Sequence, residues 1–260
     1  MTKFMFSAFC AATLVTSISA QDAGKEMLSN GIKYLDTPYV AHTLEADGPE
    51  DLIINCDEMD CTTLVEYVLA ETLTPKMENG DISESVFAEN LVKIRYRDGK
   101  IDGYTSRLHY ITDWINNGVR NGFLQDVTDT MSPDTEKISI SYMSSHPEQY
   151  KQLANSPENV AKMKQIEQAL SGRNVHYLPK AKLPIAGLSW IKNGDIIAFT
   201  SNVPGLDVSH MGIAFYADDK LTIVHASSTE KKVVVSKSAL SQMLKDNSKW
   251  TGIRVLRVKK

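Results

Sequence analysis

A chain of 260 residues with 28 Lys and Arg against 32 Asp and Glu is weakly acidic. That balance excludes nucleic acid as a partner, because gripping a phosphate backbone takes a basic footprint. Three cysteines are too few for a disulfide scaffold, so the fold must rest on one sizeable core, with room for a helical insertion.

Taken in chain order, Lys3 precedes an apolar run, "FMFSAFCAATLVTSI", which gives way to small residues, "SISAQ". A positive start, a short apolar stretch and a small residue before a cut read as a secretory signal, residues 1–20, with cleavage after Ala20. Cys10 follows the bulky Phe9, which argues against a lipid-anchored cysteine. The run is short for a membrane span. The mature chain, 21–260, is expected to be one catalytic domain with no stable membrane insertion, in the periplasm or secreted. Its charge is −5, with 27 basic residues against 32 acidic.

Residues 22–50 read as a short helical lead and a turn-rich loop, "DTPYVAHTLEADGPED". Over 61–73, Cys61, Leu64, Val65, Val68, Leu69 and Leu73 recur at helical spacing, with Asp60 as N-cap. A mainly helical insertion covers about 75–180. In it "SRLHYITDWINNG" aligns Leu108, Ile111 and Ile115, with Gly118 as the stop, and "SPENVAKMKQIEQALSG" runs from Ser156 and Pro157 to Gly172. After residue 185 the period becomes strand-like: "GDIIAFTS", "HMGIAFYA", "LTIVHAS", "KVVVS" and "GIRVLRV" are short runs between polar turns. Helices followed by an antiparallel sheet predict an α+β fold.

Cys56 and Cys61 lie five positions apart and invite a disulfide. Cys61, however, opens a helix, where free N–H groups and the dipole favour a thiolate and should lower its pKa. A base is at hand if "SHMGIAFYADDKLTIVHASS" is a hairpin with a two- or four-residue loop. His225 then lies opposite Gly212, and His210 and His225 become diagonal neighbours roughly 7–8 Å apart at the backbone. A three-residue loop would put them on opposite faces. With the first register, Cys61 attacks, His210 moves the proton and His225 fixes the tautomer of His210. The Cys61 N–H can serve an oxyanion hole. Two free thiols are expected, with Cys56 a bystander.

This order of Cys-helix, His-strand and third polar residue resembles the NlpC/P60 papain-like cysteine peptidases. The landmarks are "TPYVAHTLE", "DCTTLVE", "SHMGIAFY" and "VHASS". "KIRYRDGKIDGYTSRLHYITDWI" and "GIRVLRV" resemble a branch of it, the DUF1460 family of N-acetylmuramoyl-L-alanine amidase-like proteins. The resemblance implies a papain-like core and hydrolysis of the amide between N-acetylmuramic acid and L-alanine, with peptidoglycan or muropeptide fragments as substrate. It implies no metal and no cofactor. Candidate substrate contacts are Tyr39, Asp60, Arg107, His109, Tyr110 and Trp114; Asp60 would cap and orient, and Tyr110 and Trp114 could simply pack as an i,i+4 pair. His42, His146 and His176 read as surface histidines. The rivals are an endopeptidase cutting within the stem peptide after D-glutamate, a zinc hydrolase using His109, His210 and His225, and a non-catalytic wall-binding module.

Overall fold

The computed structural model of the protein describes residues 20–260; the apolar leader on which the signal reading rests lies outside them. The chain opens with α1 (Ala20–Lys33) and reaches α2 (Cys61–Leu73) through a long loop. The start of α2 is fixed by a reciprocal cap. Asp60 Oδ1 accepts the amides of Thr62 and Thr63 at 2.9 and 2.8 Å, and the Asp60 amide donates to the Thr63 hydroxyl at 2.8 Å. The sequence predicts one apolar stripe on this helix, yet every residue from Thr63 to Ala70 is buried. A helix apolar nearly all round belongs inside, and α2 packs between α1, α3 (Glu84–Arg95) and the sheet. Its buried acid, Glu66, is matched by Arg95 of α3 at 2.7 Å, and Arg95 also donates to the Ile53 carbonyl.

Beyond α3 lie α4 (Ile111–Arg120), β1 (Leu124–Asp126), α5 (Val127–Met131), β2 (Thr135–Lys137), α6 (Tyr142–Ser145), α7 (Lys151–Ala154), α8 (Pro157–Leu170), β3 (Asn174–His176) and β4 (Leu178–Pro179). The stretch read as a helical insertion thus also holds short strands, one of which, β1, joins the main sheet. Helix α8 begins as its Ser-Pro start predicts, with Ser156 accepting from the Asn159 amide. Helix α4 departs from expectation at both ends. Residues 104–106 form a separate tight turn, so the helix starts at Ile111, and Gly118 lies within it rather than ending it. A Cβ on Gly118 would come within 2.5 Å of Leu124, so this glycine serves a close approach. The turn falls later, at Gly122 with φ +80°.

The remaining elements are β5 (Ile196–Ser201), β6 (Val208–Ala217), β7 (Lys220–Ser227), β8 (Lys232–Val235), α9 (Leu240–Asp246) and β9 (Trp250–Val258). Among the described residues seven strands make one antiparallel sheet, ordered β1-β9-β5-β6-β7-β8, with β4 also on β9. This is the predicted α+β architecture. Met211, Ile213, Val224 and Ala226 pack with α1 and α2 in the main core, while Phe199, Ala214, Ile223 and Ile253 face a second core under α9.

Strands β6 and β7 are joined by Asp218 and Asp219, both at positive φ (48° and 58°). That two-residue geometry matches the twist of a tight hairpin. It pairs Ala217 with Lys220 and Ile213 with Val224, the register that sets His225 opposite Gly212.

Candidate active site

Two features of the hairpin bring the histidines together. Its register places them on one face, and Gly212 leaves the space between them: a Cβ there would lie 3.2 Å from that of His225. His210 Nε2 and His225 Nδ1 are 2.8 Å apart, and the rings stand nearly perpendicular. Burial holds both neutral. It pushes His210 down to about 3, helped by the charge His225 would carry, and His225 down to about 4.

Cys61 stands at the first position of α2, and α2 lies against β6. The Met211 amide, next in the chain to His210, favours its thiolate, as do the Thr62 hydroxyl and the Cys61 amide. The Asp60 cap engages the amides of Thr62 and Thr63 and leaves that of Cys61 outside the helical ladder. The expected lowering of the thiol pKa is nonetheless reversed. Desolvation, followed by the neighbouring Asp60 carboxylate, pushes Cys61 up to about 12. The carboxylate that caps the helix also opposes a second negative charge at its start. In this structure the thiol is therefore protonated at rest, and no hydrogen bond joins it to His210 among the described residues.

Tyr39 belongs to the same neighbourhood. Its amide donates to the Lys231 carbonyl at 2.9 Å and it bridges Met59, two residues before Cys61. Burial raises its phenol to about 12, with further pressure from Cys61 and Asp60. Both cysteines are free, as expected. Cys56 is half-buried against the main core, with the Tyr34 hydroxyl 3.9 Å from its sulfur. Burial pushes its thiol up too.

The other residues read as substrate contacts are engaged within the protein. Arg107 is buried; its Nε and Nη2 each reach Glu50 at 2.8 Å, and Nη1 reaches Glu45 at 2.7 Å. It also donates to the Leu44 carbonyl, so it pins the 44–50 loop instead of waiting for a ligand. His109 turns inward, with Nε2 2.9 Å from the Tyr104 carbonyl and its ring against that of Tyr104. Burial, then the Arg107 charge, lowers it to about 3. Tyr110 is buried, donates to Glu167 at 2.7 Å and accepts from the Met143 amide. Trp114 is buried in the main core. Although spaced i,i+4, Tyr110 and Trp114 belong to different cores, because Tyr110 packs with Ile138, Ile140 and Met163. Of the histidines read as surface groups, His42 is exposed, whereas His146 stacks on Tyr142 and His176 bonds the Ser132 carbonyl.

Among the described residues no group of three or more His, Cys, Asp or Glu side chains could hold a metal ion. Nor is any helix among them long and apolar enough to cross a membrane. Residues overlooked in the sequence are Phe199 and Trp250, whose rings enclose His210, and Ser209, which accepts from the Trp250 indole. They come from three strands, so only the strand order assembles them.

The fold and site define a class: an α+β protein that sets a helix-start thiol beside two linked imidazoles on an antiparallel sheet. Comparison with known proteins narrows this. Residues 29–253 match the family described as N-acetylmuramoyl-L-alanine amidase-like (AmiA-like), and the chain belongs to that family. A crystal structure of an N-acetylmuramoyl-L-alanine amidase from Bacteroides uniformis is 84% identical, with a TM-score of 0.90 over 91% of this chain and 100% of that one. A Bacteroides fragilis structure named as a candidate xylanase is 67% identical, with a TM-score of 0.86 over 88% of this chain and 99% of that one. A Legionella pneumophila protein of the DUF1460 family shares the fold at 22% identity, with a TM-score of 0.68 over 92% and 89% of the two chains. Among curated proteins none matches.

Proposed function

We propose that the protein is an exported, cysteine-dependent N-acetylmuramoyl-L-alanine amidase that acts on peptidoglycan fragments in the periplasm, with the mechanism of the NlpC/P60 enzymes. The observation that carries this reading is the His210–His225 bond at 2.8 Å beside a thiol at a capped helix start, in a chain of this family. Because the resting thiol is protonated, the proton leaves as the bond forms. The Cys61 sulfur attacks the lactyl carbonyl while its proton passes to His210 Nδ1. This role requires His210 to carry its other hydrogen on Nε2, donated to His225 Nδ1, which fixes the tautomer. The Cys61 amide, free of the helical ladder, donates to the developing oxyanion. His210 then returns the proton to the nitrogen of L-alanine as the C–N bond breaks. Water cleaves the resulting thioester, releasing the lactyl carboxylate and the thiol. Tyr39 lines the approach to the sulfur, and Asp60 orients the helix start.

The name of the Bacteroides fragilis relative raises a glycosidase. That chemistry calls for two facing carboxyl groups roughly 5–10 Å apart. The carboxylate beside Cys61 is Asp60, which is committed to the cap. Digestion of purified muropeptides followed by mass analysis tests the proposal. Free disaccharide and intact stem peptide are expected, lost on alkylation of the thiol and retained in a chelator. Stem peptides trimmed after D-glutamate would replace the amidase by an endopeptidase.

A further inference from the structure

We infer that Trp250 is a positioning residue for His210, clamping the imidazole between the indole, Phe199 and His225. The inference rests on the proposed role of His210 and deepens it. The indole lies nearly parallel to the imidazole, with centroids 5.7 Å apart and planes 19° apart. Phe199, fully buried, meets the same imidazole at 5.1 Å and the indole at 4.5 Å. The His225 ring closes the remaining side at 86°. The indole is itself held, because its Nε1 donates to the hydroxyl of Ser209 at 3.0 Å.

The backbone explains why these groups converge. The β5–β6 ladder pairs Phe199 with His210, but the next pair is Thr200 with Val208, so Ser209 is an extra residue at a bulge. On the other edge of β5, Ser201 pairs with Trp250 at the start of β9 after a second register shift. Two irregularities at the same end of β5 thus aim Ser209, His210 and Trp250 into one cluster. Bulges re-aim side chains in this way beside active sites.

The hydrogen bond to His225 fixes which imidazole nitrogen points where, but leaves the ring free to tilt about it. Stacking removes that freedom, and the indole keeps water from one face of the ring. The titratable group set against His210 from β7 is His225, whose ring meets it edge-on rather than over the face that Trp250 covers; α2 brings Cys61 to the Met211 amide, next in the chain.

The test compares Trp250→Leu with Trp250→Phe, which restores an aromatic face. In Trp250→Leu, kcat is expected to fall about tenfold with KM within about twofold, and the acid limb of kcat/KM to move up by about one pH unit. Trp250→Phe should recover most of kcat. The His210 ring titration, followed by NMR in the Cys61→Ala background, should move up in parallel. That readout needs no turnover, so it tests the clamp even if Cys61→Ala leaves activity intact and the amidase mechanism fails. A rise in KM alone, with kcat and the titration unchanged, would make Trp250 a substrate platform and overturn the inference. Should Trp250→Leu not fold, an unchanged His210 titration in Ser209→Ala, which releases the indole, overturns it equally.

Discussion

The β6–β7 hairpin and the 104–114 segment both carry polar and aromatic side chains that suggest a site, yet they use them in opposite ways. In the hairpin the polar groups bond each other, His210 to His225, beside a thiol from another element. In the 104–114 segment they bond the scaffold, Arg107 to Glu45 and Glu50, Tyr110 to Glu167 and Met143. The first arrangement leaves proton-transfer capacity available, whereas the second consumes its donors in holding a loop and a helical cluster in place. A residue type suggests chemistry only while its hydrogen-bonding capacity is unspent.

The sharpest way to break this contrast is to delete one member from each region. On the hairpin side, Cys61→Ala should lower turnover of muropeptides by about 10³-fold or more with the thermal midpoint little changed. His225→Ala should lower kcat by about 10²-fold or more, since it removes the partner that fixes the His210 tautomer. On the 104–114 side the effects should fall on stability. Arg107→Ala leaves two carboxylates facing a buried vacancy and should destabilise by about 3–5 kcal/mol, read by denaturant unfolding. KM of the folded fraction should stay at the wild-type value; a selective rise in KM would return Arg107 to the substrate site. Tyr110→Phe should cost about 1–3 kcal/mol by stranding the Met143 amide and leaving Glu167 with the Ser144 amide, without touching activity.

A pH series separates the regions less strongly. His109, His210 and His225 are held neutral, at about 3, 3 and 4, against an unfolded value of 6.5. Between those limits the unfolded chain binds more protons than the native one, so stability falls as pH falls. The contribution is fully present above about pH 6.5 and is lost progressively towards about pH 3. His225→Asn should flatten that slope in thermal melts; an unchanged slope would mean that His225 is not held neutral.

Much of the hairpin side and of the Cys61 helix was legible because it is local. A capped helix over Cys61–Leu73 follows from Asp60, Thr63 and the apolar spacing. The histidine pairing follows from a two-residue turn, since alternation carries the register from Ala217 and Lys220 back to the histidines. The internal partners of Arg107 were not legible, because they lie 57 and 62 positions away in a loop with no periodic pattern. The same limit hid the sense of the Cys61 shift. A helix start promises a stabilised thiolate, but desolvation is set by what packs over it.

By itself, then, the sequence determined the α+β order of elements and the helix that presents Cys61. It narrowed the pairing of His210 with His225 to a question of loop length, which the two-residue turn answers. These depend on spacing, capping and turn length, all short-range. Only the tertiary structure decided that Arg107, Tyr110 and Trp114 are internal supports, that the thiol rests protonated, and that Phe199 and Trp250 enclose the imidazole. Each of these turns on which distant segment supplies the neighbour, and burial and hydrogen-bond partnership are properties of the assembled neighbourhood rather than of the residue.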